Sequence, residues 1–123
     1  MLARLLDLAV LPAAEVTHSV RAYARLSLFD WMVCGHAGRG APLAGILRAM
    51  ATEKGGTALA PMIGGGSVPA RAAALVNGAT FHALDCDDTH FGHIGHPSVA
   101  IYPAALAVGE AANVRPVTLW VPF

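Results

Sequence analysis

The side chains able to do chemistry are concentrated in one stretch: His82-Ala83-Leu84-Asp85-Cys86-Asp87-Asp88-Thr89-His90-Phe91-Gly92-His93-Ile94-Gly95-His96-Pro97-Ser98. Of the eight acidic residues and six histidines in the chain, seven fall within positions 82–96. No lysine or arginine lies between Arg71 and Arg115. Carboxylates crowded together in this way need cations or hydrogen-bond donors to satisfy them. A cluster that is electrostatically costly, and that sits in a loop, is a candidate functional site.

Three readings fit these residue types. The first is acid–base catalysis, because imidazole titrates near neutrality and a neighbouring carboxylate can orient it. Thr89 and Ser98 add hydroxyls, and the helix after Pro97 would present backbone N–H groups to an anion. The second is metal binding, with His90, His93 and His96 spaced by three and Asp85, Asp87 and Asp88 as oxygen donors. Against it, no His-x-x-x-His pair is present, and Gly92 and Gly95 disfavour a helix here. The third is an ordinary solvated loop whose aspartates cap helices. His82, at a helix end, reads as a capping or core histidine. Gly64-Gly65-Gly66 reads as a turn, since no Lys-Ser/Thr follows it.

The elements that must position this stretch are helices. Alanine (25 residues) and glycine (13) favour closely packed helices with glycine turns. We expect helices over 2–10, 13–35, from Pro42 to Gly55, from Ser67 to about Leu84, and over 99–112. In the second, Val16, Val20, Tyr23, Ser27, Trp31 and Cys34 recur at helical spacing, and Leu26, Phe29 and Val33 form an adjoining stripe. That helix should be central, and Gly35, Gly38 and Gly40 should end it. In the third, Leu43, Ile46, Leu47 and Met50 form the inward face. In the fourth, Ala72, Ala73, Ala74, Asn77, Gly78 and Ala79 offer a small-residue contact surface. In the last, Val99, Ile101, Tyr102, Ala105, Leu106 and Val108 should face inward, with Pro103 near the first turn. The fold class is all-α, and no strand pattern of useful length stands out except over 114–123.

Composition narrows the function. Only 13% of residues are charged and the formal net charge is zero, where an average domain carries about 25%. This excludes a disordered tail and a basic nucleic-acid binder. No membrane span is expected: the uncharged run 89–109 contains three histidines and two prolines. Cys34 and Cys86 read as reduced core residues of a cytoplasmic protein. So thin a polar coat suggests a piece that packs into something larger, by self-association or against a further part of the polypeptide.

The order Ala74-Leu75-Val76-Asn77-Gly78, then His82 to Thr89, then Gly95-His96-Pro97-Ser98 with a helix after it, resembles the MmgE/PrpD family of 2-methylcitrate dehydratase and cis-aconitate decarboxylase. Leu11-Pro12-Ala13, Leu28-Phe29-Asp30 and Val68-Pro69-Ala70 fit upstream. The resemblance covers about residues 1–112 and implies the N-terminal part of a large all-helical domain, in a homodimer whose site lies against a smaller lid domain. It implies lyase chemistry on a small carboxylic acid with neither metal nor other cofactor. It matches the family's active-site aspartate, threonine and histidine to Asp85, Thr89 and His96. Asp88, His90, His93 and Ser98 stand as candidate substrate contacts. Other reactions of the same family, a small metal-dependent enzyme and a non-catalytic helical module remain alternatives.

The family's lysines come from further downstream, whereas this chain has one lysine, Lys54. Residues 113–123 carry Pro116 and Pro122 where the family continues into a helix. The expectation is a truncated or frameshifted N-terminal piece, inactive by itself. Coding sequence downstream with no frame for further helices would contradict it.

Overall fold

The computed structural model describes residues 2–92 and 94–114. Expectations for His93 and for residues 115–123 lie outside them. Among the described residues the fold is helical: α1 (Leu2–Ala9), α2 (His18–Gly38), α3 (Pro42–Lys54), α4 (Ala70–Phe81) and α5 (Ser98–Ala111). A 3-10 turn (Ala13–Glu15) precedes α2, and β1 (Ala60–Pro61) pairs antiparallel with β2 (Ser67–Val68). The expected all-α class is observed. No described helix is long and apolar enough to cross a membrane.

Helix α4 is the hub and packs on α2, α3 and α5. Its small residues permit this, and the small-residue surface expected over 72–79 is real: a Cβ added at Gly78 would lie 3.0 Å from the Val99 carbonyl oxygen. That carbonyl lost its helical donor to Pro103, four residues on. Two core groups form around α4. One gathers Ala51, Ala60, Met62, Val68, Ala73, Val76 and Ala107. The other is Leu28, Trp31 and Phe81. The Trp31 and Phe81 rings stack at 3.6 Å and 17°, and the Tyr102 hydroxyl donates to the Ala24 carbonyl at 2.9 Å. Burying one Phe-sized side chain contributes about 1.5–3 kcal/mol.

Several expected helix limits and faces are corrected. The second helix starts at His18, where Thr17 Oγ1 accepts from the Val20 N–H at 3.4 Å; Pro12 lies before a separate 3-10 turn. Gly35 does not stop α2 but lies inside it, where a Cβ would overlap the Phe81 ring; α2 ends at Gly38 as expected, where a Cβ would overlap the Thr80 carbonyl. Ser67 does not cap α4; it belongs to β2, and α4 starts at Ala70 and ends at Phe81. Pro103 lies past the first turn of α5.

The inward faces are built from smaller residues than expected. On α3, Ala44 and Ala51 are buried while Leu43 and Ile46 are exposed. On α2, the stripe Leu26, Phe29 and Val33 faces outward, as do Val20 and Tyr23. On α5, Ile101 and Val108 are exposed and Pro103 and Ala107 are buried. Alanine lets helix axes approach more closely than leucine does, so the alanine faces meet.

The glycines separate packing from propensity. Gly35→Ala should destabilise the chain by about 1–3 kcal/mol by displacing Phe81. Gly45→Ala, with open space beyond it, should stabilise by about 0.5–1 kcal/mol. Urea unfolding followed by circular dichroism measures both, and equal effects would contradict this packing.

Candidate functional site

Helix α4 stops where Phe81 docks on Trp31, so His82 caps it with its ring at the edge of the core. A turn follows, in which the Asp85 N–H donates to the His82 carbonyl at 3.0 Å. Asp85 has φ 52°, a left-handed conformation that aspartate tolerates better than most residues. The reversal sends the Asp85 carboxylate outward (80% exposed) and the Asp87 carboxylate inward (0% exposed).

Asp88 then caps α5. Its Oδ1 accepts from the Ser98 N–H at 3.2 Å, and its Oδ2 accepts from the Ser98 hydroxyl at 2.6 Å and the Ser27 hydroxyl at 3.1 Å. The hydroxyls of Ser27 and Ser98 are themselves 2.7 Å apart. Between the two helices, the His90 N–H donates to the Gly95 carbonyl at 2.9 Å and the Ile94 N–H to the His90 carbonyl at 2.8 Å. This small closed loop returns the chain so that His96 lies beside Asp87.

Four side chains meet there. His82 Nδ1 donates to Asp87 Oδ1 at 2.8 Å. His96 Nδ1 lies 3.1 Å from the Asp87 carbonyl oxygen and 3.4 Å from Asp87 Oδ1. His96 Nε2 is 3.5 Å from Asp85 Oδ1, and His82 Nε2 is 4.0 Å from the same oxygen. The imidazole centroids are 4.7 Å apart. Asp87 Oδ2 is buried with no hydrogen-bond partner among the described residues.

The chemistry follows from donor rules. A backbone carbonyl only accepts, so His96 Nδ1 must carry a hydrogen. In the neutral ring Nε2 then holds the lone pair, and it is the nitrogen that can take up a proton. Asp85 stands beside it and can pair with the resulting imidazolium. One atom from each of His82, Asp85, Asp87 and His96 lies within 4.8 Å of the others, so the same group could hold a divalent cation.

The structure therefore brings together Asp85 and His96 with Asp87, which the metal reading names as an oxygen donor, and adds His82, expected only as a capping or core histidine. Thr89 lies next to them, with its exposed hydroxyl donating to the Asp87 carbonyl at 3.5 Å. His90 is exposed on the loop. Asp88 and Ser98, expected to contact substrate, have their polar atoms engaged at the α5 cap instead. His93 is not among the described residues. Cys86, expected in the core, is exposed, while Cys34 is buried. Ser27 went unrecognised, although a serine inside an apolar helical stripe was a signal. An apolar cleft of about 390 Å³, lined by Leu28, Trp31, Met62, Phe81 and Leu106 among others, holds none of the cluster's four residues.

A helical domain with a histidine–aspartate cluster between two of its helices is the class that fold and site define. The family model for the MmgE/PrpD N-terminal domain matches residues 8–119, and the chain belongs to that family. The match takes in part of the segment 113–123 that sequence reading sets apart. No curated protein and no solved structure gives a significant match.

The two neighbouring residues should separate structure from chemistry. Asp88→Ala should cost about 1–2 kcal/mol in urea unfolding by removing the α5 cap. Thr89→Ala should change stability by less than about 0.5 kcal/mol. A neutral Asp88→Ala would contradict the capping role.

Proposed function

We propose that this chain supplies the acid–base group of an MmgE/PrpD lyase site acting on 2-methylcitrate or a related tricarboxylate. The observation that carries the reading is the orientation of His96: Nδ1 tied to the Asp87 carbonyl, Nε2 exposed to a single outer carboxylate, Asp85, at 3.5 Å. Loss of water from such a substrate begins at a C–H bond next to a carboxylate, and the base must lie within reach of that proton. His96 Nε2 takes the proton. Asp85 pairs with the imidazolium, which returns the proton to the leaving hydroxyl. Thr89 and His90, both exposed, hold substrate oxygens. The decarboxylation and epimerisation known for the family need proton transfer at the same kind of carbon, and the same histidine would serve them.

Tight binding of a tricarboxylate also requires cations, and residues 72–114 contain no lysine or arginine, so the chain alone should bind it only weakly, at millimolar concentration. In this reading the cations come from another part of the polypeptide or from a second subunit. The exposed stripe Leu26, Phe29 and Val33 on α2 supports such a partner surface.

The test is ligand binding to the purified chain, followed through the histidine ring resonances. Millimolar 2-methylcitrate or cis-aconitate should shift His96 saturably, also in the presence of EDTA. His96→Ala, Asp85→Asn and Thr89→Ala should each weaken binding by about ten-fold, the equivalent of about 1.4 kcal/mol. No saturable shift would contradict the reading. A shift that requires added divalent metal would favour metal binding by the same four residues. Turnover by the chain alone, above the His96→Ala variant, would overturn the expectation that it is inactive by itself.

A further inference from the structure

Two thiols meet at the margin of the cluster, and the acid–base chemistry uses neither. Cys34 is inside α2, and Cys86 is in the loop between Asp85 and Asp87. Their sulfurs are 3.6 Å apart, with the Cys86 S–H directed at Cys34 Sγ. That is van der Waals contact, and a disulfide needs a separation of about 2.05 Å. Cys34 is fixed by its helix and is 5% exposed. Cys86 is exposed and lies outside regular structure, so it is the sulfur that can move.

We propose that Cys34 and Cys86 form an oxidation site, at which a neutral hydroperoxide converts the two thiols into an intramolecular disulfide. Closing it pulls the backbone at position 86 toward α2 and so displaces the flanking Asp85 and Asp87 from His82 and His96.

The two sulfurs have different roles. Burial pushes the Cys34 thiol up to about 11, and the hydrogen bond with Cys86 and the charges of Asp30 and Asp87 add to the shift. Cys34 therefore stays a thiol at neutral pH, while accessible Cys86 meets the oxidant. In the first step Cys86 gives up its proton and its thiolate attacks one peroxide oxygen. The O–O bond breaks, the leaving oxygen takes a proton to become water or an alcohol, and Cys86 becomes a sulfenic acid. In the second step Cys34 Sγ attacks Cys86 Sγ. The S–O bond breaks, and the departing hydroxide takes the Cys34 proton as water. Two thiols and one hydroperoxide thus give one disulfide, one water and one further water or alcohol. A small neutral hydroperoxide reaches the exposed Cys86 with no charge repulsion from the neighbouring Asp85 carboxylate.

This inference does not rest on the proposed reaction, and its test uses no substrate. The purified chain is treated with hydrogen peroxide at low protein concentration, then alkylated and weighed intact. Both thiols should be lost together, with the mass falling by two hydrogen atoms, the chain remaining monomeric on a non-reducing gel, and dithiothreitol reversing the change. Cys34→Ser should trap a dimedone-reactive sulfenic acid on Cys86. Cys86→Ser should leave Cys34 reduced for at least about ten times as long as the parent thiols last. The His82 and His96 ring resonances should shift on oxidation and return on reduction. Addition of oxygen to Cys86 while Cys34 stays alkylatable would overturn the proposal, as would disulfides formed only between chains. Unmoved histidine resonances in the oxidised chain would overturn its coupling to the cluster.

Discussion

A carboxylate can be kept from water only where donors come to it, and Asp87 is kept from water completely on its side chain. No lysine or arginine is near it in sequence. The donor that meets its carboxylate is an imidazole: His82 reaches it from the end of α4, while His96 approaches from the start of α5 and bonds the Asp87 carbonyl. These contacts fix where α4 ends, how the loop folds and which way His96 faces. The site is thus organised around one buried acid, whose Oδ1 meets His82 and whose Oδ2 has no partner among the described residues. Removing the Asp87 carboxylate would free His82, while His96 would keep its bond to the backbone carbonyl.

The helices can deliver those imidazoles because their contact faces are small. Gly78 lets α5 lie directly on α4, and Gly35 lets Phe81 reach Trp31. Phe81 immediately precedes His82, so the aromatic stack sets the position of the first imidazole. Asp88 sets that of the second by capping α5 with two hydrogen bonds from Ser98 and tying it to α2 with a third from Ser27. Three neighbouring aspartates therefore do three jobs: Asp85 faces out beside His96, Asp87 anchors the histidines, and Asp88 holds the helix. The left-handed turn at Asp85 is what separates them.

Much of this was legible in the residues. The helix count, the glycine turn and the small surface on α4 follow from spacing, and the family pattern singles out Asp85 and His96. The faces of α2, α3 and α5 did not. Apolar periodicity marks a face that avoids water, and Leu43, Ile46, Leu26, Phe29, Val33, Ile101 and Val108 form such faces. It does not say what covers them, and within this chain the alanine and glycine faces pack together instead. Of the two residues to which the family pattern gives no role, His82 looks like a helix cap, and it is one. Its second role needs the chain reversal at Asp85, which no spacing rule reveals. Asp87 could not be told from its neighbours until that reversal buried it.

The low charge content reads differently with the structure in hand. It does not produce a large apolar interior; it leaves apolar stripes on the outside of α2, α3 and α5. At the site, the same scarcity of lysine and arginine leaves histidine as the donor available to the buried acid.

The central claim is that Asp87 sets the hydrogen position on both imidazoles. Long-range proton–nitrogen correlation spectra, recorded at a pH where both rings are neutral, report that position directly. The account predicts the Nδ1–H form for His82 and for His96, with the preference lost at His82 but kept at His96 in Asp87→Ala, because the backbone carbonyl that holds His96 remains. An Nε2–H form for His96 in the unmodified chain would contradict it, because the nitrogen assigned to proton transfer would then already carry its proton.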